Sequence, residues 1–247
     1  FGWNQLKPVY AMMRLGSDTL LKQYNNLRAG EDKWQRVIAA ARAYGLGTMA
    51  KYNYDQWNDS LMKLDTETGT GELSLQERMS LYAYARREQA FEHLTKGGFV
   101  LSDKNTRTGK NRLGIETEQK VQDYNAYVLT AEQVAGIRGA ENILKLTEAQ
   151  RQFADAMQDY LSTVCAELNN EISRALYGVS IAKEKYYWPI RSSGVFSEMI
   201  RNQMQNPSNR QKNAGHMKAT VRGANNAIEL MGFMETWATH VNNTAMY

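Results

Sequence analysis

The chain has 247 residues, 43% hydrophobic and 23% charged, with three prolines and one cysteine. That length suits one or two domains and is enough to bury a core. One cysteine excludes an internally disulfide-stapled scaffold, the aromatic content excludes global disorder, and no run approaches about 18 consecutive apolar residues, so no membrane span is expected. Thirty Lys+Arg against 26 Asp+Glu leave a net charge of +4. This mildly basic balance permits contact with nucleic acid without requiring it. Phe1-Gly2-Trp3 carries no signal-peptide pattern, and the last residues read as helix without a stop signal. Both features suggest a segment of a longer polypeptide.

Lys7 to Leu15 is a short apolar segment with Pro8 near its start, a position a helix tolerates. Ser17-Asp18 can cap a helix to about Arg28, with Leu20, Leu21, Tyr24 and Leu27 on one face. Ala29-Gly30 reads as a break. Glu31-Asp32 then opens a longer helix whose stripe is Trp34, Val37, Ile38, Ala41 and Tyr44. The turn-rich stretch Thr66 to Gly71 predicts a hairpin within 58–73.

Ser74 and Glu77 form a capping box, in which each side chain satisfies the other's exposed backbone N–H. The helix it opens is expected to run to Leu94 and to end at Gly97-Gly98. Lys104 to Gly114 reads as a polar loop, and Val121 to Leu129 as a strand. Thr130 caps a short helix. Thr147 and Gln150 form a second capping box, opening a helix to about Tyr177. Its stripe is Phe153, Met157, Leu161, Val164, Leu168, Ile172 and Leu176, with Gly178 as its stop. Tyr186 to Ile190 is extended by residue type. Met204 to Gly223 reads as a polar loop. Asn225-Asn226 caps a last helix with Ile228, Met231, Met234, Trp237, Ala238 and Val241 inward. Trp34, Trp188 and Trp237, with Met12, Met13, Met231 and Met234, are expected in the core.

Chemical signatures are few. The phosphate-loop, dinucleotide, nucleophile-elbow and His-Glu-x-x-His patterns are missing from the sequence. The histidines, His93, His216 and His240, are far apart, and Cys165 has no second cysteine for a zinc site. No catalytic residue, metal site or cofactor is assigned. Two carboxylate groups are weighed: Glu88 and Glu92 with His93, and the Glu116/Glu118 pair. Solvated charge is the plainer reading of both. Lys104, Arg107, Lys110 and Arg112 form one basic stretch, and Arg210, Lys212, Lys218 and Arg222 another. Flexible cations of this kind can neutralise phosphates, so these eight are the candidate nucleic-acid contacts.

Several stretches together resemble one family. They are Leu6-Lys7-Pro8, Leu27 to Trp34, Leu73 to Val100, Leu176-Tyr177-Gly178, Glu184 to Ile190 and Ala227 to Tyr247. The family is a helical region of very large polyvalent proteins encoded by bacteriophages, prophages and related mobile elements. The resemblance covers nearly the whole chain in the same order. It implies a parent that strings together unrelated activities, located in the virion or the host cytoplasm and delivered with DNA. Its partners would be other domains of the parent polyprotein or virion proteins. It assigns no reaction to this segment.

The expectation is a mainly α fold: antiparallel helices with a small β-hairpin or sheet and long polar loops. Residues 1–247 read as a single module, with a candidate sub-boundary near 97–127. The leading function is a non-catalytic structural or interaction module. The alternatives are nucleic-acid association through the basic stretches and a cryptic enzyme with a carboxylate site. No membrane partner is expected.

Overall fold

A computed structural model of the chain describes residues 18–101, 106–110, 116–120, 126–139, 141–190 and 227–246. The fold is mainly α with small two-stranded sheets. Helix α1 (Asp18–Lys51) is followed by the antiparallel hairpin β1 (Met62–Thr66) and β2 (Gly69–Leu73). Helix α2 (Leu75–Arg86) comes next. Then a short α3 (Ala90–Glu92) runs into a π turn, His93–Gly97. Strand β3 (Phe99–Leu101) precedes the hairpin β4 (Thr106–Lys110) and β5 (Glu116–Lys120). Helices α4 (Ala131–Arg138), α5 (Glu148–Tyr160) and α6 (Ala166–Tyr177) follow. Strand β6 (Ile228–Leu230) pairs parallel to β3, and α7 (Phe233–Ala245) closes the described chain.

The helix starts follow local chemistry. Ser74, Thr130 and Thr147 each accept from the backbone N–H three residues on, and Glu77, Gln133 and Gln150 reach back. Each box satisfies two donors that a helix end leaves bare. Gly178 ends α6 in the left-handed conformation, at φ 73°.

Helix α2 lies at the centre. Every residue from Glu77 to Ala85 is buried, so neighbours surround it rather than covering one stripe. Ala83, Ala85 and Ser80 keep its girth small where α4, α5 and α7 approach. Its own Met79 and Leu81 and, around it, Leu73, Leu94, Phe99, Phe153, Trp188 and Phe233 are all but inaccessible. Trp188 stacks on Phe233 with centroids 4.5 Å apart, and Trp57 meets Phe153 edge-on at 5.3 Å. The β1–β2 turn is fastened from outside: Thr68 Oγ1 donates to the Ala126 carbonyl and accepts from the Val128 N–H.

Five expectations are corrected. Ala29-Gly30 is not a break, because α1 runs through it. A single helical glycine costs only about 1 kcal/mol, and good helix formers flank this one. The helix from Ser74 does not reach Leu94 unbroken: Arg87 turns extended, at φ −78° and ψ 119°. Part of the expected polar loop is the β4–β5 hairpin, where β-branched Thr106, Thr108 and Thr117 suit a ladder. The last helix begins at Phe233, because Ile228–Leu230 pairs with Phe99–Leu101 and the Gln76 side chain accepts the Met234 N–H. Its inward face carries Thr236, His240 and Thr244, with Ala238 exposed.

The fifth correction concerns phase. A π turn, Leu161–Cys165, joins α5 to α6. Its wider spacing advances the buried face by one residue. Cys165, Asn169 and Ser173 are therefore buried, whereas Val164 and Leu176 are exposed. Trp188 and Trp237 are core as expected, while Trp34, Met231 and Met234 are half-buried. Met12, Met13 and the 7–15 segment lie outside the described residues.

Candidate functional site

Adjacent arginines at the end of α2 organise the clearest polar cluster. Arg87 is 4% exposed. Its Nε donates to Glu184 Oε1 at 2.6 Å and its Nη2 to Glu184 Oε2 at 2.7 Å. Its Nη1 donates to the Trp188 carbonyl at 2.7 Å, and the guanidinium lies 5.1 Å from the Tyr187 ring centroid. A forked, bidentate pair of this kind fixes orientation as well as charge. Arg86 pairs with Asp155 on α5 and lies 4.3 Å from the Tyr186 ring centroid.

These arginines hold the segment 179–190 against the helices. Other side chains add to the strap. Gln158 donates to the carbonyls of Ala83 and Tyr186, and Tyr84 Oη donates to the Pro189 carbonyl at 2.8 Å. Asn170 brackets Ala182 with two hydrogen bonds, and Ser162 Oγ accepts the Tyr187 N–H. An irregular segment has no ladder of its own, so its backbone groups need these partners.

Burial raises the pKa of Asp155, against the lowering pull of Arg86 and a hydrogen bond from Tyr82. Burial, reinforced by Asp155, pushes the Tyr82 phenol up to about 12. Cys165 is buried, and its thiol is pushed up to about 12, although a hydrogen bond with Thr244 opposes the shift. A protonated thiol in this setting is a poor nucleophile. His240 packs beside Tyr187, with ring centroids 5.1 Å apart.

Glu88, Glu92 and His93 form no carboxylate site. Glu88 and Glu92 are exposed, Glu92 lies 3.9 Å from Lys96, and His93 is buried. Glu116 and Glu118 lie on β5, opposite Lys110 and Thr108 in register. Among the described residues no three His, Cys, Asp or Glu side chains group as metal ligands. An open groove of about 290 Å³ between α1 and α5 is lined by Tyr44, Thr48, Lys51, Tyr52 and Ala156 among others. Among the described residues its lining holds no carboxylate, thiol or imidazole.

Of the eight candidate phosphate contacts, Arg107 and Lys110 lie on β4, opposite Gln119 and Glu116. Lys104, Arg112, Arg210, Lys212, Lys218 and Arg222 lie outside the described residues. Among the described residues no helix is long and apolar enough to cross a membrane. The Arg87–Glu184 pair carried no sequence signal of its own, because its partners are 97 residues apart.

No protein-family model matches this chain, and neither does any curated protein or solved structure.

Proposed function

We propose that the chain is a non-catalytic structural and interaction module of a large phage-encoded polyvalent protein. One observation supports this most: two of the stretches that carry the resemblance, Leu73 to Val100 and Glu184 to Ile190, bind each other. Arg87 and Tyr84 come from the first. Glu184, Trp188 and Pro189 come from the second. Residues spent on each other in this way build a rigid platform. Function then falls to the surfaces that the platform presents.

Crosslinking followed by mass spectrometry on the longer parent protein tests this reading. Crosslinks from α1 and α6 to neighbouring regions of the parent are expected. Crosslinks confined to this chain would overturn it. Affinity for duplex DNA across a salt series separates the module from a phosphate binder. The expected result is weak binding, little changed when the eight candidate cations are neutralised. A steep, cation-dependent fall with salt would instead establish a nucleic-acid module.

A further inference from the structure

Tyr186 holds an uncommon backbone conformation. Its φ is 59°, in the left-handed region that a residue with a Cβ rarely enters. Neighbours on both sides keep it there. Arg87 binds Glu184 and the Trp188 carbonyl, two residues before and two after. The Tyr186 carbonyl accepts from Gln158 at 2.7 Å, and the Tyr187 N–H is given to Ser162. Backbone strain that the surroundings over-determine in this way gathers at sites of chemistry.

The turn leaves the Tyr186 side chain partly exposed and beside two cations. Arg86 lies 4.3 Å from its ring centroid, and Lys185 Nζ lies 4.8 Å from it. Asp155 answers the Arg86 charge from α5, and Tyr82 shares that carboxylate. Glu184 is turned to Arg87. Lys185 is exposed and forms no ion pair among the described residues, so its charge is left to Tyr186. A hydrogen bond from Lys185 and the charge of that ammonium lower the Tyr186 phenol from its ordinary value. Arg86 adds to both, against a raising effect of desolvation. Tyr82, Tyr160 and Tyr187 are shifted the other way, each up to about 12, first by burial.

We infer that Tyr186 is a covalent modification site, whose phenol oxygen takes a phosphoryl or sulfonyl group from an anionic electrophile. The inference goes beyond the interaction-module reading and does not depend on it. The oxygen attacks the tetrahedral phosphorus or sulfur, and the new O–P or O–S bond forms as the bond to the leaving group breaks. The leaving group departs with that electron pair, and the phenol proton passes to water. Lys185 serves twice: it stabilises the phenolate, and it meets an anionic oxygen of the incoming reagent. Tyr82 and Tyr160 are buried and offer neither access nor a stabilised anion.

The test uses the full chain and two arylsulfonyl fluorides, one carrying a carboxylate and the other an amine. Peptide mass spectrometry locates the adducts. At pH 8 the carboxylate reagent is expected to label Tyr186 at least about tenfold faster than Tyr177, although Tyr177 is 62% exposed. It should also outpace the amine reagent at Tyr186, by a margin that salt erodes. The pH midpoint of the labelling rate should lie below the ordinary 10 of a phenol. Lys185→Gln should slow the labelling, raise its pH midpoint and leave the unfolding midpoint unchanged, since the ammonium is exposed. Tyr186→Phe should remove the adduct. Labelling no faster than that of Tyr177, equal rates with the two reagents, or no effect of Lys185→Gln would each overturn the inference. None of these outcomes bears on the crosslinks that test the module reading.

Discussion

Arg87 and Glu184, 97 residues apart, meet through two parallel hydrogen bonds of 2.6 and 2.7 Å. The guanidinium is nearly inaccessible and the carboxylate side chain is 21% exposed. Burying such a pair is not itself a large gain, because both ions lose hydration. Removing one partner is different, since the other charge stays buried without compensation. Glu184→Gln and Arg87→Met are each expected to cost about 3 kcal/mol in urea unfolding. The double variant, Arg87→Met with Glu184→Met, should cost at least 1 kcal/mol less than the sum. Single losses below about 0.5 kcal/mol would show that the strap holds without the pair.

Gly98 sits between the π turn and β3 at φ 74°, and a Cβ there would lie 2.5 Å from the Tyr127 carbonyl oxygen. Backbone on backbone cannot yield as a flexible side chain can. Phe99 and Tyr127 exchange two hydrogen bonds at this point, and the Gly98 carbonyl accepts the Ile228 N–H. Gly98→Ala should therefore loosen the β3–β6 pair and cost about 3 kcal/mol. Hydrogen exchange at Ile228 is the local readout, and protection there should fall with the midpoint.

Gly30 gives the opposite sign. It lies inside α1 with nothing within 4 Å of a built Cβ. Gly30→Ala should raise stability, by about 0.5–1 kcal/mol. A loss of stability on the same change would mean that the helix does break there.

What the sequence made legible is what a few neighbouring residues decide. The Ser74 and Thr147 boxes span four residues each, and the β1–β2 hairpin is set by its turn and short strands. All three are where the pattern placed them. What it hid depends on partners far along the chain. The apolar period through Leu161 predicts Val164 inward, but the π turn inserts a residue's worth of phase and buries Cys165 instead. Ile228 suits a helix face by its spacing, yet Phe99 claims its backbone for a parallel pair. The candidate site was the least legible part. Arg87 looks like any helix-terminal cation until Glu184 is beside it. Of the eight cations singled out, only Arg107 and Lys110 fall on described backbone.

Alkaline pH tests the buried acids together. Cys165, Tyr82 and Tyr160 are each pushed up to about 12, in every case first by burial. In the unfolded chain the thiol ionises near 9 and the phenols near 10. Between those values and 12 the unfolded state holds fewer protons than the folded one, so stability falls as pH rises. These groups' contribution is fully present below about pH 9 and is lost as pH rises through 12. Urea unfolding should show a flat profile in this range up to pH 9 and a steep decline above it. Tyr82→Phe should flatten part of the decline, since the phenol no longer titrates. The same burial makes the folded Cys165 thiol slow toward an aromatic disulfide at pH 8, and urea should release its reaction with the unfolding midpoint. Rapid labelling of the folded chain would place Cys165 at the surface and would contradict the phase shift that the π turn imposes.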